Sequence, residues 1–289
     1  MTILVTGTSG HLGRLVVETL LDQGIDPTTV VAVARDTAAI ADLAERGVQV
    51  RRADYDDPAS LDAAFAGVDK ALLVSSSAVG ARVGQHRNVI DAAAKAGVSL
   101  LAYTSVVRAE VSVMELAADH RETEALLRVS GVPHVILRNG WYLENYTGQI
   151  ATALTHGVIL GAAGAGRVSA AARADYAAAA AAVLVLDGQA GKVYELGGDE
   201  AFSLDGFAAE LAEQGGTAVA YRDLSTEDYA AALVTAGLPE GYAAILADSD
   251  HGIADGALYV DSGELGRLIG RPTTTLREAI KSAMADVPR

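Results

Sequence analysis

The sequence of 289 residues contains no cysteine, and this absence excludes three kinds of chemistry. Disulfide bonds, cysteine-ligated iron–sulfur clusters and a redox-active thiol all require that side chain. Redox chemistry in this protein would therefore need a bound cofactor to carry the electrons. We expect no metal site either.

Basic residues are scarce relative to acidic ones, with 22 lysines and arginines against 37 aspartates and glutamates. The net charge of −15 at pH 7 repels nucleic acid and anionic membrane surfaces, so we expect neither as a partner. No apolar run approaches the roughly 20 residues that a membrane helix needs. The chain begins directly with a strand pattern and shows no cleavable leader, so we expect a cytoplasmic protein.

Short β-branched apolar runs alternate with helical patterns in the first half of the sequence. Strands are predicted at 3–6, 30–34, 48–51, 71–74, 100–104 and 134–137. Helices are predicted at 11–23, 37–46, 58–66, 84–96 and 119–130. A glycine follows each of these helices, as is typical of C-terminal caps: Gly24, Gly47, Gly67, Gly97 and Gly131. The alternation predicts βαβ units with a parallel sheet, and therefore an α/β fold.

The alternation breaks after residue 137. Further helices are predicted at 143–155, 175–186, 203–214, 225–236 and 273–284, and one more strand at 192–198. The six alanines at 177–182 predict a closely packed helix, and Thr275 with Glu278 predicts a capping box. We expect a first domain at 1–146, to which 171–197 return, and a smaller substrate-side domain at 147–170 and 198–289.

Three glycines, Gly7, Gly10 and Gly13, lie between the first predicted strand and the first predicted helix. Glycine lets the backbone turn tightly there and lets a pyrophosphate approach without a Cβ atom in the way. The N-terminus of the helix offers free N–H groups and a partial positive charge. The context predicts a dinucleotide site. The spacing G-x-x-G-x-x-G is similar to that of extended and atypical short-chain dehydrogenases/reductases.

Arg35 follows the second predicted strand, at the place where a carboxylate would bind the adenosine ribose of NAD. A guanidinium group instead suits a 2′-phosphate, so the sequence favours NADP. The alternative is a solvated Arg35 that pairs with Asp36. Asp54, after the third predicted strand, could lie near the adenine or cap a helix.

Polar and aromatic residues follow the later strands, at the carboxyl edge of the predicted sheet. Ser75–Ser77 could line the nicotinamide ribose or form an ordinary polar loop. The segment LRNGWYLENY contains the only tryptophan, and its rings could hold a planar substrate, or Trp141 could anchor the domain junction. Arg173 could reach the cofactor, and Asp175 is expected to cap the alanine-rich helix.

The sequence lacks the Tyr-x-x-x-Lys pair with which short-chain dehydrogenases reduce carbonyl groups. It has four lysines, and none follows a tyrosine by four residues. The helix where the pair is expected carries His120 and Glu124 instead. Hydride addition to a ketone gives a strongly basic alkoxide, whereas addition to a quinone gives a phenolate whose conjugate acid titrates near ~10. The absence is compatible with quinone reduction, and also with no catalysis.

Several stretches resemble the NmrA-like atypical short-chain dehydrogenases/reductases, and more closely the bacterial NADPH-dependent quinone oxidoreductase type 2 group. They are TGTSGHLG, LLVSSSAVGARVGQHRNVIDAAAKAGV, YTSVVRA, LRNGWYLENY, GAAGAGRVSAAARADYAAAAA, KVYELGGD, LADSD and LIGRPTTTL. The resemblance covers nearly the whole chain. It implies a Rossmann doubly wound parallel sheet, a smaller C-terminal substrate-side domain and a cleft between them. It also implies NADPH as cofactor and hydride transfer to a quinone without flavin.

The resemblance further implies a set of cofactor-binding residues. They are Gly7, Thr8, Ser9, Gly10, His11, Leu12, Gly13, Arg35, Ser75, Ser76, Ser77, Asn139, Gly140, Trp141, Tyr142 and Arg173. No catalytic residue is assigned, because the proton donor could be water or His120, and a position on the helix surface is favoured for His120. A homo-oligomer, and an NmrA-like redox sensor that binds NAD(P) without turnover, stay open as alternatives.

Overall fold

The computed structural model describes residues 1–78 and 80–285, in which the chain forms nine strands and thirteen α-helices. The strands are β1 (Ile3–Val5), β2 (Val30–Ala34), β3 (Gln49–Arg52), β4 (Lys70–Leu73), β5 (Leu100–Val106), β6 (His134–Asn139), β7 (Val158–Gly161), β8 (Val193–Leu196) and β9 (Ala220–Asp223). The helices are α1 (His11–Asp22), α2 (Ala41–Glu45), α3 (Pro58–Phe65), α4 (Arg82–Ala96), α5 (Glu115–Val129), α6 (Glu144–Thr147), α7 (Ile150–His156), α8 (Arg173–Val185), α9 (Leu204–Gly215), α10 (Thr226–Thr235), α11 (Glu240–Ala254), α12 (Glu264–Ile269) and α13 (Leu276–Ala285). Val79 and residues 286–289, which fall inside the predicted domains, lie outside this description.

Seven strands form one sheet in the order β3-β2-β1-β4-β5-β6-β8. The neighbouring pairs from β3 to β6 are all parallel, so Ile3 of β1 lies opposite Val30 on one side and Lys70 on the other. This order is that of a Rossmann sheet, and it places the topological switch point between β1 and β4. The α/β and Rossmann predictions are confirmed, and β8 joins the sheet as predicted.

The strands form where the sequence has continuous apolar runs, because helices cover both faces of a parallel sheet. All residues of β1, β2, β4 and β5 are buried. One core cluster joins Leu4, Val31 and Tyr103 from the strands to Phe65 of α3 and Leu127 of α5. The five glycines predicted to end helices are left-handed, with φ angles of +80°, +90°, +71°, +70° and +75° in chain order.

The alanine-rich helix α8 packs against α1, the helix that follows the glycine turn. Ala177, Ala179, Ala180 and Ala181 are all buried, which confirms the predicted close packing. Asp175, the expected cap of this helix, is its third residue and is buried in the first turn. Because its buried side chains are so small, α8 lets neighbouring elements approach closely.

The second half of the chain departs from the predicted pattern in several places. The single helix predicted at 143–155 is two helices, α6 and α7, that are interrupted at Gly148 and Gln149. The parallel pair β7–β9 and the helices α11 and α12 are absent from the prediction. The capping box before α13 is confirmed: the Thr275 N–H donates to Glu278 over 2.9 Å, and the Glu278 N–H donates to the Thr275 hydroxyl over 3.2 Å.

Contacts between Cα atoms divide the chain into two compact units. The first consists of Met1–Val106, Asp119–Asn139 and Arg173–Tyr194, and the second of Val107–Ala118, Gly140–Ala172 and the chain from Glu195 onward. In this division, the first unit is interrupted after Asn139 rather than after residue 146, and residues 107–118 belong to the second unit. The predicted domain limits stay a prediction.

No helix in the described ranges is both long and apolar enough to cross a membrane.

In the second unit, side chains from β9 and α11 hold the loop that follows β7. Three successive N–H groups of this loop donate to them: Ala162 to Asp250 over 2.8 Å, Ala163 to the Tyr221 hydroxyl over 3.0 Å, and Gly164 to Asp223 over 2.9 Å. Burial and the neighbouring charge of Asp223 raise the pKa of Asp250 to about 6. The loop is therefore fixed by two carboxyl groups, one of them buried.

In the first unit, two histidines lie in the interior beside the sheet. The hydroxyl of Tyr103 and Nδ1 of His120 are 2.7 Å apart, and the His86 ring packs edge-on against Tyr103 with 5.4 Å between centroids. Burial, together with the nearby charge of Arg82, lowers the pKa of both imidazoles to about 3. The surface position favoured for His120 is therefore wrong, because α5 turns its polar stripe of His120 and Glu124 inward, with both side chains buried.

We predict that the buried histidines make the protein lose stability in acid. Their pKa values are lowered in the folded state, so the unfolded chain binds more protons between about pH 6.5 and 3, and stability falls as the pH falls through that range. Replacing His120 with glutamine should reduce the slope of unfolding free energy against pH by about 1.4 kcal/mol per pH unit between pH 4 and 6. Urea unfolding at several pH values measures this slope.

The control is His11→Gln, because His11 is exposed on the same unit. It should leave the slope unchanged. If the unfolding free energy of His120→Gln depends on pH as steeply as that of the wild type, the lowered pKa assigned to His120 is wrong.

Candidate functional site

The glycine turn between β1 and α1 is shaped by a close backbone contact. Gly7 has a left-handed φ of +64°, and its carbonyl oxygen accepts a hydrogen bond from the Gly10 N–H over 3.0 Å. A Cβ atom built on Gly13 would lie 2.5 Å from that same carbonyl oxygen. Position 13 therefore has no room for a side chain, and position 7 needs a backbone conformation that side chains disfavour.

The turn leaves the N-terminus of α1 without a side-chain cap. Gly10 is the N-cap residue in an extended conformation, and Ser9, Gly10 and His11 are exposed. The first N–H groups of a helix have no partner within the helix, and they attract anions. The absence of Cβ atoms and the uncapped N–H groups together fit a pyrophosphate.

Two of the residues predicted to bind the cofactor have other roles for their side chains. The N–H and hydroxyl groups of Thr8 both donate to the carbonyl oxygen of Val33 on β2, over 3.1 and 2.9 Å. Leu12 is buried in the core. Thr8 and Leu12 thus fix the turn in place, and a contact of either with the cofactor stays a prediction.

Arg35 follows β2 at the carboxyl edge of the sheet and is exposed. Its side chain forms no hydrogen bond or ion pair with any residue in 1–78 or 80–285. Asp36 does not pair with it, and instead caps the 3-10 helix Thr37–Ile40 through the N–H of Ala38, over 3.0 Å. The guanidinium is therefore available to a 2′-phosphate.

Asp54, the other residue predicted near the adenosine, accepts a hydrogen bond from the Asp56 N–H over 3.1 Å. The cap of α3 is Asp57, which accepts from Ala59 and Ser60, so the alternative that Asp54 caps a helix is wrong. A contact between Asp54 and adenine stays a prediction.

The serine segment after β4 is held by side chains of α4. The Ser76 N–H donates to Nε2 of His86 over 2.9 Å, and Nε of Arg82 donates to the Ser76 carbonyl oxygen over 2.6 Å. The Ser76 hydroxyl donates to Gln85, and the Ser75 N–H donates to the hydroxyl of Thr104 over 2.8 Å. These bonds fix the conformation of Ser75 and Ser76, and a contact of the segment with the nicotinamide ribose stays a prediction.

The contacts of His86 determine its tautomer. A backbone N–H can only donate, so Nε2 carries no proton and Nδ1 donates to the hydroxyl of Thr123 over 2.9 Å. That hydroxyl in turn donates to the carbonyl oxygen of Asp119 over 2.9 Å. Burial holds the pKa of His86 at about 3, so the ring stays neutral and keeps its hold on Ser76.

Sequence reasoning missed Arg82, Gln85 and His86 as residues of the site. The signal was present in the run ARVGQHRNV, where three polar side chains share the buried face of α4. Polar residues on the inward stripe of a helix indicate polar partners inside the protein.

At the end of β6, the first unit contains a buried ion pair and a buried amide. Arg138 donates to both oxygens of Glu124 over 2.9 and 2.6 Å, and the hydroxyl of Ser105 donates to Glu124 over 2.7 Å. The carboxylate of Glu124 is thus engaged within the protein. Asn139, the next residue, is 5% exposed.

The predicted residues Gly140, Trp141 and Tyr142 belong to the second unit. The Gly140 N–H donates to Leu196 over 2.7 Å, and Trp141 accepts from the Ala171 N–H over 3.1 Å. A parallel bridge joins Tyr142 to Ala171, and the side chains of Trp141 and Tyr142 are partly exposed. Arg173 is the first residue of α8, in the first unit. Roles for these residues at a substrate stay predictions.

A family model described as NAD(P)H-binding matches residues 7–185, from the glycine turn to the end of α8. The chain belongs to this family. The match to the NAD(P)H-binding family includes most of the first unit. Among the described residues, no three or more histidines and carboxylates are grouped so that they could hold a metal ion.

Relatives of this NAD(P)H-binding protein are similar to it over nearly its full length. Quinone oxidoreductase 2 of Escherichia coli is 51% identical over 278 residues, which are 96% of this chain and 97% of the relative. The crystal structure of the NADPH-dependent quinone oxidoreductase of Escherichia coli in complex with NADPH has a TM-score of 0.96 at 50% identity, covering 98% of this chain and all of that one. The Citrobacter triphenylmethane reductase complexed with NADP(H) has a TM-score of 0.94 at 37% identity, with 98% and 100% coverage. The resemblance found in the sequence is confirmed.

We predict that Gly13→Ala disrupts the turn, because the new methyl group would lie 2.5 Å from the Gly7 carbonyl oxygen, well inside van der Waals contact. The expected loss in unfolding free energy is about 1–3 kcal/mol, as for other overpacked sites. The matched control is Gly84→Ala in α4, where a Cβ atom meets nothing within 4 Å. It should be neutral or stabilise by up to about 1 kcal/mol. Denaturant unfolding compares the two, and equal stabilities would refute the steric account.

Proposed function

We propose that the protein is an oxidoreductase that transfers a hydride from NADPH to quinones, without flavin and without a Tyr-x-x-x-Lys pair. The observation that carries this proposal is the match over 96% of the chain to quinone oxidoreductase 2 of Escherichia coli. Two features of the structure support it: the uncapped glycine turn before α1 and the unpaired guanidinium of Arg35.

In this proposal, bound NADPH supplies the hydride, and the residues of the chain bind and orient it. The N–H groups at the start of α1 hold the pyrophosphate, and Arg35 holds the 2′-phosphate through charge-assisted hydrogen bonds. The serine segment, fixed through Ser76 by His86 and Arg82, lines the ribose on the nicotinamide side. Asn139, the residues 140–142 and Arg173 border the nicotinamide and the quinone.

No strong acid is needed from the protein, because a reduced quinone leaves as a phenolate that water can protonate. His120 is a poor proton donor in this structure. Its pKa of about 3 keeps the ring neutral near pH 7, and its Nδ1 atom is engaged with the Tyr103 hydroxyl. Glu124 is buried and engaged with Arg138. Water is therefore the donor that fits.

The remaining parts of the proposal concern partners and location. A small-molecule quinone is the partner, and the acidic surface disfavours nucleic acid and anionic membranes. A cytoplasmic location and a homo-oligomer complete the proposal, and both stay predictions.

The direct test mixes the purified protein with NADPH and a small benzoquinone and follows the absorbance of the reduced cofactor. We expect oxidation well above the spontaneous rate, without added flavin. The control is the same protein with Gly13→Ala, in which the turn is disrupted and the rate should fall. A wild-type rate equal to that of buffer would reject the enzyme, and tight NADPH binding without turnover would instead support a redox sensor.

The role of Arg35 is tested by Arg35→Ala. A charge-assisted hydrogen bond contributes about 1.5–3 kcal/mol, so the Kd for NADPH should rise roughly tenfold to hundredfold, while the Kd for NADH barely changes. Calorimetric titration with both cofactors measures this. The matched control is Arg46→Ala, which removes the same charge from an exposed position after α2 and should leave both Kd values unchanged. Equal weakening of NADPH and NADH by Arg35→Ala would exclude the 2′-phosphate role.

A further inference from the structure

The side chain of Gln85 joins two loops at the carboxyl edge of the sheet. It lies on α4 and is only 8% exposed. Its Nε2 atom donates to Oδ2 of Asp56 over 2.8 Å, and its Oε1 atom accepts from the hydroxyl of Ser76. Asp56 belongs to the loop after β3, and Ser76 belongs to the serine segment after β4. One buried amide therefore connects the two loops.

The position of Asp56 is fixed although the residue is exposed. Its N–H group donates to Oδ1 of Asp54 over 3.1 Å, and Nδ2 of Asn88 donates to the carbonyl oxygen of Tyr55 over 2.8 Å. Asn88 follows Gln85 by three residues on α4, and residues with that spacing share one face of a helix. This face of α4 therefore holds the loop after β3 at two adjacent residues.

The carboxylate of Asp56 determines the orientation of the Gln85 amide. An ionised carboxylate only accepts hydrogen bonds, so the group of Gln85 that faces it must be the –NH₂ group. The oxygen atom of the amide then faces Ser76, and an amide oxygen also only accepts. The hydroxyl hydrogen of Ser76 is therefore directed to Gln85. Without Asp56, the amide would be free to turn over and present its –NH₂ group to Ser76 instead.

These bonds determine what the hydroxyl of Ser76 can offer to a ligand. Its one hydrogen atom is directed to Gln85, and its oxygen atom also accepts from the Ala78 N–H over 3.1 Å. A hydroxyl oxygen has two lone pairs, so one of them remains for a ligand. Ser76 can therefore accept a hydrogen bond from a ligand but cannot donate one. The hydroxyl groups of a ribose donate hydrogen bonds, so they are complementary to this acceptor.

We propose that Asp56 and Gln85 are positioning residues for the nicotinamide half of NADPH. Asp56 orients the amide of Gln85, and the amide keeps the hydroxyl of Ser76 oriented as an acceptor for a hydroxyl group of the nicotinamide ribose. This inference rests on the proposed function, because it requires NADPH to bind with that ribose at the serine segment. The loop of Asp56 also carries Asp54, which is predicted near the adenine. A carboxylate on the adenosine side thus acts on the other half of the cofactor.

The test compares two ligands that share the adenosine half. Because 2′,5′-ADP lacks the nicotinamide half, the ratio of its Kd to the Kd of NADPH isolates the contribution of that half. Calorimetry measures both Kd values for the wild type, Gln85→Met, Asp56→Ala and the double variant. Gln85→Met keeps the approximate side-chain volume and removes both hydrogen bonds. The matched controls are Gln23→Met and Asp91→Ala, which make the same changes at exposed positions of the first unit.

We expect Gln85→Met to lower this ratio about fivefold, which corresponds to one hydrogen bond, and to leave the Kd for 2′,5′-ADP within about twofold of the wild type. Asp56→Ala should lower the ratio by about twofold to fivefold. Because Asp56 acts only through Gln85, the double variant should match Gln85→Met and should not show the product of the two effects. Both controls should keep the ratio of the wild type.

The outcomes distinguish failure of this inference from failure of the proposed function. If Asp56→Ala leaves the ratio unchanged, or if the effects of the two substitutions multiply, Asp56 does not act through Gln85 and the inference is overturned. It is also overturned if Gln85→Met weakens both ligands equally, because Gln85 then supports only the fold of the site. If the wild type binds neither ligand, the proposed function fails as well. Binding of 2′,5′-ADP by each variant shows that the variant is folded.

Discussion

The approach of Gly13 to the carbonyl of Gly7 is the constraint on which the rest of the site depends. With no side chain between them, helix α1 can begin after a turn of only five residues from β1, and its first N–H groups lie at the carboxyl edge of the sheet. The other predicted cofactor residues of the first unit can bind the same molecule only if they lie near this turn. Arg35 and the serine segment both follow strands that end at the same carboxyl edge of the sheet.

Side chains of α4 hold the serine segment in place at that edge of the sheet. Arg82, Gln85 and His86 on α4 hold Ser76 by its N–H, carbonyl and hydroxyl groups, so all three polar groups of this loop residue have a partner. Neutral imidazole is suited to this role, because burial removes its charge and leaves one donor and one acceptor. The loop is thus organised before any cofactor binds, which lowers the entropic cost of binding.

The sheet was predictable because its signals are local. Continuous apolar runs, glycine caps and the turn around Gly7 all lie within short windows of sequence. The pair β7–β9 and helix α11 were not, because β9 has no continuous apolar run and is largely exposed, and α11 contains Gly241, Gly252 and the buried Asp250. Such segments are stabilised by tertiary contacts that no local pattern records.

In the candidate site, too, some residues could be predicted from local sequence and others depend on tertiary contacts. The glycines and Arg35 follow from their place after a strand, whereas His86 and His120 could not be assigned, because a polar side chain gives no sign of whether it faces solvent or a buried partner. That Oδ1 of Asn139 is buried without a hydrogen-bond partner in the part of the chain that the structure describes is visible only once its neighbours are in place. Sequence reasoning predicted where the cofactor lies, and the structure added how the surrounding loops are held.

The buried Asp250, which receives the Ala162 N–H, has a consequence for how the two units respond to acid. Its pKa is raised, so the folded form takes up a proton before the unfolded chain does, and the second unit gains stability as the pH drops through 6. The histidines of the first unit act in the opposite sense. Mild acid therefore lowers the contribution of the buried histidines to stability while it raises the contribution of Asp250.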